Sequence, residues 1–103
     1  MNARLITHED LRRHLPSKLA FQGRVLKLVH IRRARTLNLE AIANGKRRID
    51  IQYVAYYGIE NERFGGALYI ERAPRECLPQ ILRKQLRTLY WDLVYRTRTP
   101  KTV

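Results

Sequence analysis

The chain is 103 residues long and carries 21 Lys+Arg against 9 Asp+Glu, a formal net charge of +12. That length suits one domain, spanning 1–103, around a single core. Hydrophobic residues at 45%, with six tyrosines, exclude wholesale disorder, and the lone Cys77 excludes an internal disulfide or a cysteine-built zinc site.

The first predicted element is a short helix. Thr7 is a good N-cap, and Asp10 stands three residues later, as in a capping box. Ile6 and Leu11 occupy the two positions of a hydrophobic staple. The helix covers 8–15 and stops at Pro16, because proline disfavours helical geometry in the residue before it.

From Gly23 the period changes to two. Val25, Val29 and Ile31 alternate with Leu26, Leu28 and His30. Both faces are partly apolar, which suits a strand covered on both sides or one carrying a bulge. The run Arg32-Arg33-Ala34-Arg35 is a poor tight turn, so one long bent strand and two strands broken there both remain open.

Asn44-Gly45 then marks a hairpin. A three-residue loop, Ala43-Asn44-Gly45, pairs Leu39 with Ile49 and Leu37 with Ile51, giving one apolar face and putting Gly45 where a left-handed conformation is cheapest. Lys46, Arg47 and Arg48 then crowd the tip. A strand follows over 48–57, with Ile49, Ile51, Tyr53, Ala55 and Tyr57 on one face. After a loop over 58–66, a further strand covers 67–72, with Leu68 and Ile70 on one side and Tyr69 on the other.

The last element is a long helix over 79–97, with Pro79 tolerated in its first turn. Leu82, Leu86, Leu89 and Leu93 form one apolar stripe. At 100° per residue the far side carries Lys84, Arg87, Trp91, Tyr95 and Arg98. Residues 97–103 form a frayed basic tail. The fold class is α+β: a short N-terminal helix, a three- to four-stranded antiparallel sheet, and a long C-terminal helix packed on one sheet face. The order of elements resembles that of double-stranded RNA-binding domains. The Gly-Pro-x-His segment and Lys-Lys-x-Ala-Lys helix start of that family are absent, the helix here starting Pro79-Gln80-Ile81-Leu82-Arg83-Lys84.

Charge leads the functional reading. Sixteen of the cations are arginines. Guanidinium is a planar fork that pairs phosphate bidentately and stacks on bases, whereas lysine is a point charge. So large an excess repels itself in the compact state, and an anionic polymer relieves it. Nucleic acid, DNA or RNA, is the expected partner, contacted through Arg32, Arg33, Arg35, Lys46, Arg47 and Arg48. Lys84, Arg87 and Arg98 on the helix assist. Trp91 and Tyr95 mark a partner interface, since Trp, Tyr and Arg dominate such surfaces; for Trp91, base contact and plain core burial stay open beside it. Tyr56, Tyr69, Gln52 and Asn38 are candidates for one outward sheet face, where strand tyrosines are ordinary.

The alternative is an adaptor or inhibitor docking its basic surface on an acidic protein, or a homodimer. A metal-independent ribonuclease built on His30 with Arg32, Tyr53 or Tyr57 is a further option. No catalytic residue, metal site or cofactor is assigned, because no HExxH, phosphate-loop or dinucleotide motif is present. No stretch approaches the roughly 18–20 apolar residues of a membrane span, and MNARLITHEDLRRHL lacks the apolar run of a signal peptide. The expected setting is therefore soluble and cytoplasmic, with Cys77 a small, partly buried apolar residue.

Overall fold

The computed structural model describes residues 4–37 and 50–98. Helix α1 spans His8–His14 and begins as its sequence demands. The Thr7 hydroxyl accepts from Asp10 N at 3.1 Å, and the Asp10 carboxylate accepts from Thr7 N at 2.9 Å. Ile6 and Leu11 are both fully buried, so the hydrophobic staple closes.

A strand absent from the sequence reading comes next. β1 spans Lys18–Phe21 and turns at Gln22-Gly23 into β2, Arg24–Leu37. Both turn residues have positive φ, 47° and 77°. That is the left-handed pair required by a two-residue hairpin whose twist matches its strands. Glycine takes this backbone freely, while Gln22 bears a steric cost for it.

β2 runs unbroken through Arg32-Arg33-Ala34-Arg35, which settles the choice between one strand and two. Its pairing with β3, Asp50–Gly58, slips by one residue between Leu28 and His30 and again between Arg33 and Thr36. Each slip places one extra residue on β2, the mark of a bulge. The second slip also changes the expected pairing at the strand end: Leu37 lies opposite Asp50, and Thr36 opposite Ile51. Strict alternation does not count the inserted residue, so the Leu37–Ile51 pair is one position out. The Leu39–Ile49 pair, the 43–45 loop and the tip cations Lys46, Arg47 and Arg48 lie outside the described residues.

β4 spans Gly65–Glu71 and completes an antiparallel sheet of order β1-β2-β3-β4. It starts two residues before the expected 67. Gly65 and Gly66 pair with Gly58 and Tyr57, and the packing there is close. A Cβ on Gly65 would strike the Tyr57 carbonyl, and one on Gly66 would strike the Leu89 side chain.

A 3-10 turn, Arg75–Cys77, leads into helix α2, Leu78–Arg98. The leucine stripe faces the sheet: Leu82, Leu89 and Leu93 are buried and Leu86 is half-buried, and Leu78, Ile81 and Val94 widen it. These residues join Ile6, Leu11 and Leu15 over the inner sheet face of Leu26, Tyr53, Ala55, Tyr57, Leu68 and Ile70. Both helices therefore share one side of a curled sheet, and the fold is α+β as expected. Cys77 is free and half-buried beside this core. The N-terminal segment is tied down by Ile6 N donating to Ala73 O at 3.0 Å and Arg75 N to Arg4 O at 2.8 Å. Helix α2 also bonds the outer rim of β4. Tyr69 N donates to Gln85 Oε1 at 3.1 Å, and the Arg96 guanidinium donates to Gly65 O. No helix among the described residues is long and apolar enough to cross a membrane.

Candidate functional site

With Tyr53, Ala55 and Tyr57 committed to the core, alternation turns Val54 and Tyr56 to the other side of β3. Cross-strand register then sets two rows across the outer face. One row is Arg32, Val54 and Tyr69; the other is His30, Tyr56 and Ala67. The Tyr56 ring is the hub. The His30 ring lies 4.6 Å away, tilted by 33°, and the Arg32 guanidinium sits 5.9 Å over the ring centroid and donates to the Tyr56 hydroxyl at 3.3 Å. Cation and ring attract through the ring quadrupole.

The same face continues onto the first hairpin, where Lys18 lies directly opposite Lys27. Like charges placed so repel, and a bound anion turns that penalty into attraction. No acidic residue occurs in β1 or β2. Among the described residues no carboxylate pairs with Lys18, Lys27 or Arg32; the ion pairs there are Arg13–Glu9, Arg24–Glu62, Arg75–Asp10 and Arg96–Asp92. Apolar side chains stand beside these cations in the open: Val29 is 64% and Tyr69 51% exposed.

A groove of about 720 Å³ borders this face. Tyr56, Ala67 and Tyr69 line its sheet side, Gln85 and Thr88 its helix side, and Arg63 the loop end. The chain matches no family model, no curated protein and no solved structure. The reading of this face rests on its chemistry alone.

The residues singled out from sequence do not form one cluster. Arg32 and Arg33 are consecutive in an unbroken stretch of β2 and so point to opposite faces. Arg32 joins the rings, while Arg33 lies in a separate cleft with Leu5, Asp50 and Arg72. Arg35 is on β2, but its side chain lies outside the description, as do Asn38 and the side chain of Arg98. Gln52 is the extra residue where β3 slips against β4, and its buried Oε1 has no partner among the described residues. It stands apart from the tyrosine rows. Lys84 and Arg87 are exposed on α2. Trp91 is 60% exposed, which removes the core reading, and its ring meets the edge of Tyr90, at 5.8 Å. Tyr95 is exposed beyond it.

The acid–base trio is not assembled. Tyr53 and Tyr57 are buried on the inner face, away from His30. The Tyr57 hydroxyl donates to Pro16 O at 2.7 Å, and desolvation pushes its pKa up to about 12. Among the described residues no three His, Cys, Asp or Glu side chains converge as for a metal ion. The one strongly placed carboxylate is structural: Asp10 caps α1 and accepts from Arg75 Nε at 3.0 Å. The Thr7 N–H, then the Arg75 guanidinium, hold its pKa below the ordinary 3.8 against the opposing effect of burial.

Lys18 and Lys27 are site residues that sequence reasoning missed, and His30, singled out with Arg32, meets Tyr56 rather than Tyr53 or Tyr57. Their signal is positional and needs the register: His30 meets Tyr56 only across a bulge, and Lys18 meets Lys27 only if the first hairpin is recognised.

Proposed function

We propose that the protein is a non-enzymatic nucleic-acid-binding protein that contacts phosphates through the outer face of β1 and β2. The observation that carries this reading is the opposed pair Lys18 and Lys27, with Arg32 farther along β2 and no carboxylate among the described residues paired with any of them. A single small anion serves the lysine pair. A polyanion threaded along the face satisfies all three, and the net charge of +12 suits such a partner. Lys84 and Arg87 on α2, and Lys46, Arg47 and Arg48 outside the described residues, are further candidates for phosphate contact. The reading includes a cytoplasmic setting, where nucleic acid is at hand.

The test is equilibrium binding to labelled DNA and RNA across a salt series. Affinity should fall steeply with salt, by about 0.9 in log–log slope for each phosphate neutralised. Lys27→Gln and Arg32→Gln should each reduce that slope by about 1. An unchanged slope in both variants refutes contact through this face.

Trp91 supports a second reading, an acidic protein partner or a second copy of the chain seated on α2. An exposed tryptophan beside Tyr95, Lys84 and Arg87 has the composition of an interface centre. Trp91→Ala should then abolish a complex seen by light scattering or pull-down while leaving the thermal transition in place.

A further inference from the structure

Resting on the nucleic-acid reading above, we propose that the ligand is a single strand, with successive bases stacked on Tyr56 and Tyr69 and its backbone led across Lys27 and Arg32. Charge alone does not choose between single strand and duplex, since both offer phosphates. The rings do. Tyr56 and Tyr69 occupy diagonal positions on neighbouring strands, each beside a smaller side chain: Ala67 opposite Tyr56, and Val54 opposite Tyr69. Diagonal neighbours stand roughly 7–8 Å apart, a spacing from which two side chains can meet neighbouring bases.

His30 enlarges the surface around Tyr56 to a two-ring patch, and Arg32 supplies a flat guanidinium at its rim. Both tyrosines line the 720 Å³ groove, a volume within the roughly 300–1,000 Å³ typical of small-ligand sites and ample for a splayed base. Its opposite wall holds Gln85 and Thr88, together with Asp92, whose carboxylate is paired with Arg96. In a duplex the base faces are consumed by stacking on each other. Aromatic platforms therefore select unpaired nucleotides, and they do so with little sequence preference because every base has a π-face.

Full-length protein is titrated by fluorescence anisotropy against mixed-sequence oligonucleotides of about 15 nucleotides, as single-stranded DNA, single-stranded RNA and the matching duplexes. Single strands should bind roughly tenfold or more tightly than duplexes, and any difference between the DNA and RNA strands identifies the natural source. Tyr69→Ala should weaken single-strand binding roughly tenfold and leave duplex binding unchanged, while Tyr69→Phe retains the ring and the affinity. Tyr69 is half-exposed, so both variants should keep the wild-type melting transition. Duplex binding as tight as single-strand binding overturns the proposal, as does a Tyr69→Ala variant that loses neither form or both equally. Failure to bind any nucleic acid at low salt instead removes the function reading on which the proposal rests.

Discussion

Tyr56 and Tyr57 are adjacent in sequence and lie in different environments. Tyr57 is sealed into the core, its hydroxyl satisfied by the Pro16 carbonyl and its pKa lifted to about 12 by desolvation. Tyr56 is half-buried on the outer face, in contact with an imidazole and a guanidinium. Residue type does not distinguish them; the pleat does. On a sheet with one covered face, a tyrosine on the inner side contributes mainly to stability, and one on the outer side is available to a ligand.

Truncation tests this contrast most directly. Tyr57→Ala should lower unfolding free energy by about 3–5 kcal/mol, the range for large aromatic side chains removed from a core, measured by urea denaturation. Tyr56→Ala should cost well under half of that, and a comparable loss would end the distinction. Gly66→Ala comes next. Its new methyl group meets the Leu89 side chain, and such overpacking should cost about 1–3 kcal/mol in the same assay.

Titration sharpens the comparison from another side. A phenol with a raised folded pKa stabilises the native state fully below the unfolded value near 10, and that contribution is lost as pH rises toward 12. Tyr57→Phe should flatten the alkaline limb of the stability profile. At the acid end the sign reverses. Asp10 has a folded pKa below the ordinary 3.8, so its contribution is present above 3.8 and lost as pH falls through the lowered value. Asp10→Asn should remove that acid loss.

The smallest expected effect is the most diagnostic of the outer face. Lys27→Gln relieves its repulsion with Lys18 and should raise stability by a few tenths of a kcal/mol, at most about 1. The same change should weaken nucleic-acid binding. Opposite signs in the melting and binding assays would show that the pair is placed for a ligand at the expense of the fold.

Much of this was legible in the chain. The Thr7–Asp10 capping box, the Ile6–Leu11 staple and the leucine stripe at 82, 86, 89 and 93 are signals with direct physical mechanisms, and each formed. So did the division of Leu68 and Ile70 from Tyr69. What escaped reading was register. β1 shows only two inward apolar residues, Leu19 and Phe21, too few for a period, and its turn uses Gln22 at positive φ, a residue that does not announce the conformation. The slips beside Val29, Ala34 and Gln52 carry no glycine or proline to mark them. Each moves every later residue to a new partner, so the meeting of His30 with Tyr56 follows from an insertion that the apolar pattern allows but does not place, whereas the parting of Arg32 from Arg33 is plain alternation.

The bonds from Gln85 and Arg96 to the rim of β4 bear on how this chain behaves at high concentration. A sheet grows by recruiting a foreign strand onto unpaired N–H and C=O groups. Along β4, Tyr69 N and Gly65 O are already occupied by a helix from the same molecule. The opposite margin, β1, is four residues long and begins with a lysine. A strand arriving there finds little length to zip along and a charge at the entrance. Growth by strand addition is thus hindered at two points along β4 and finds little length along β1.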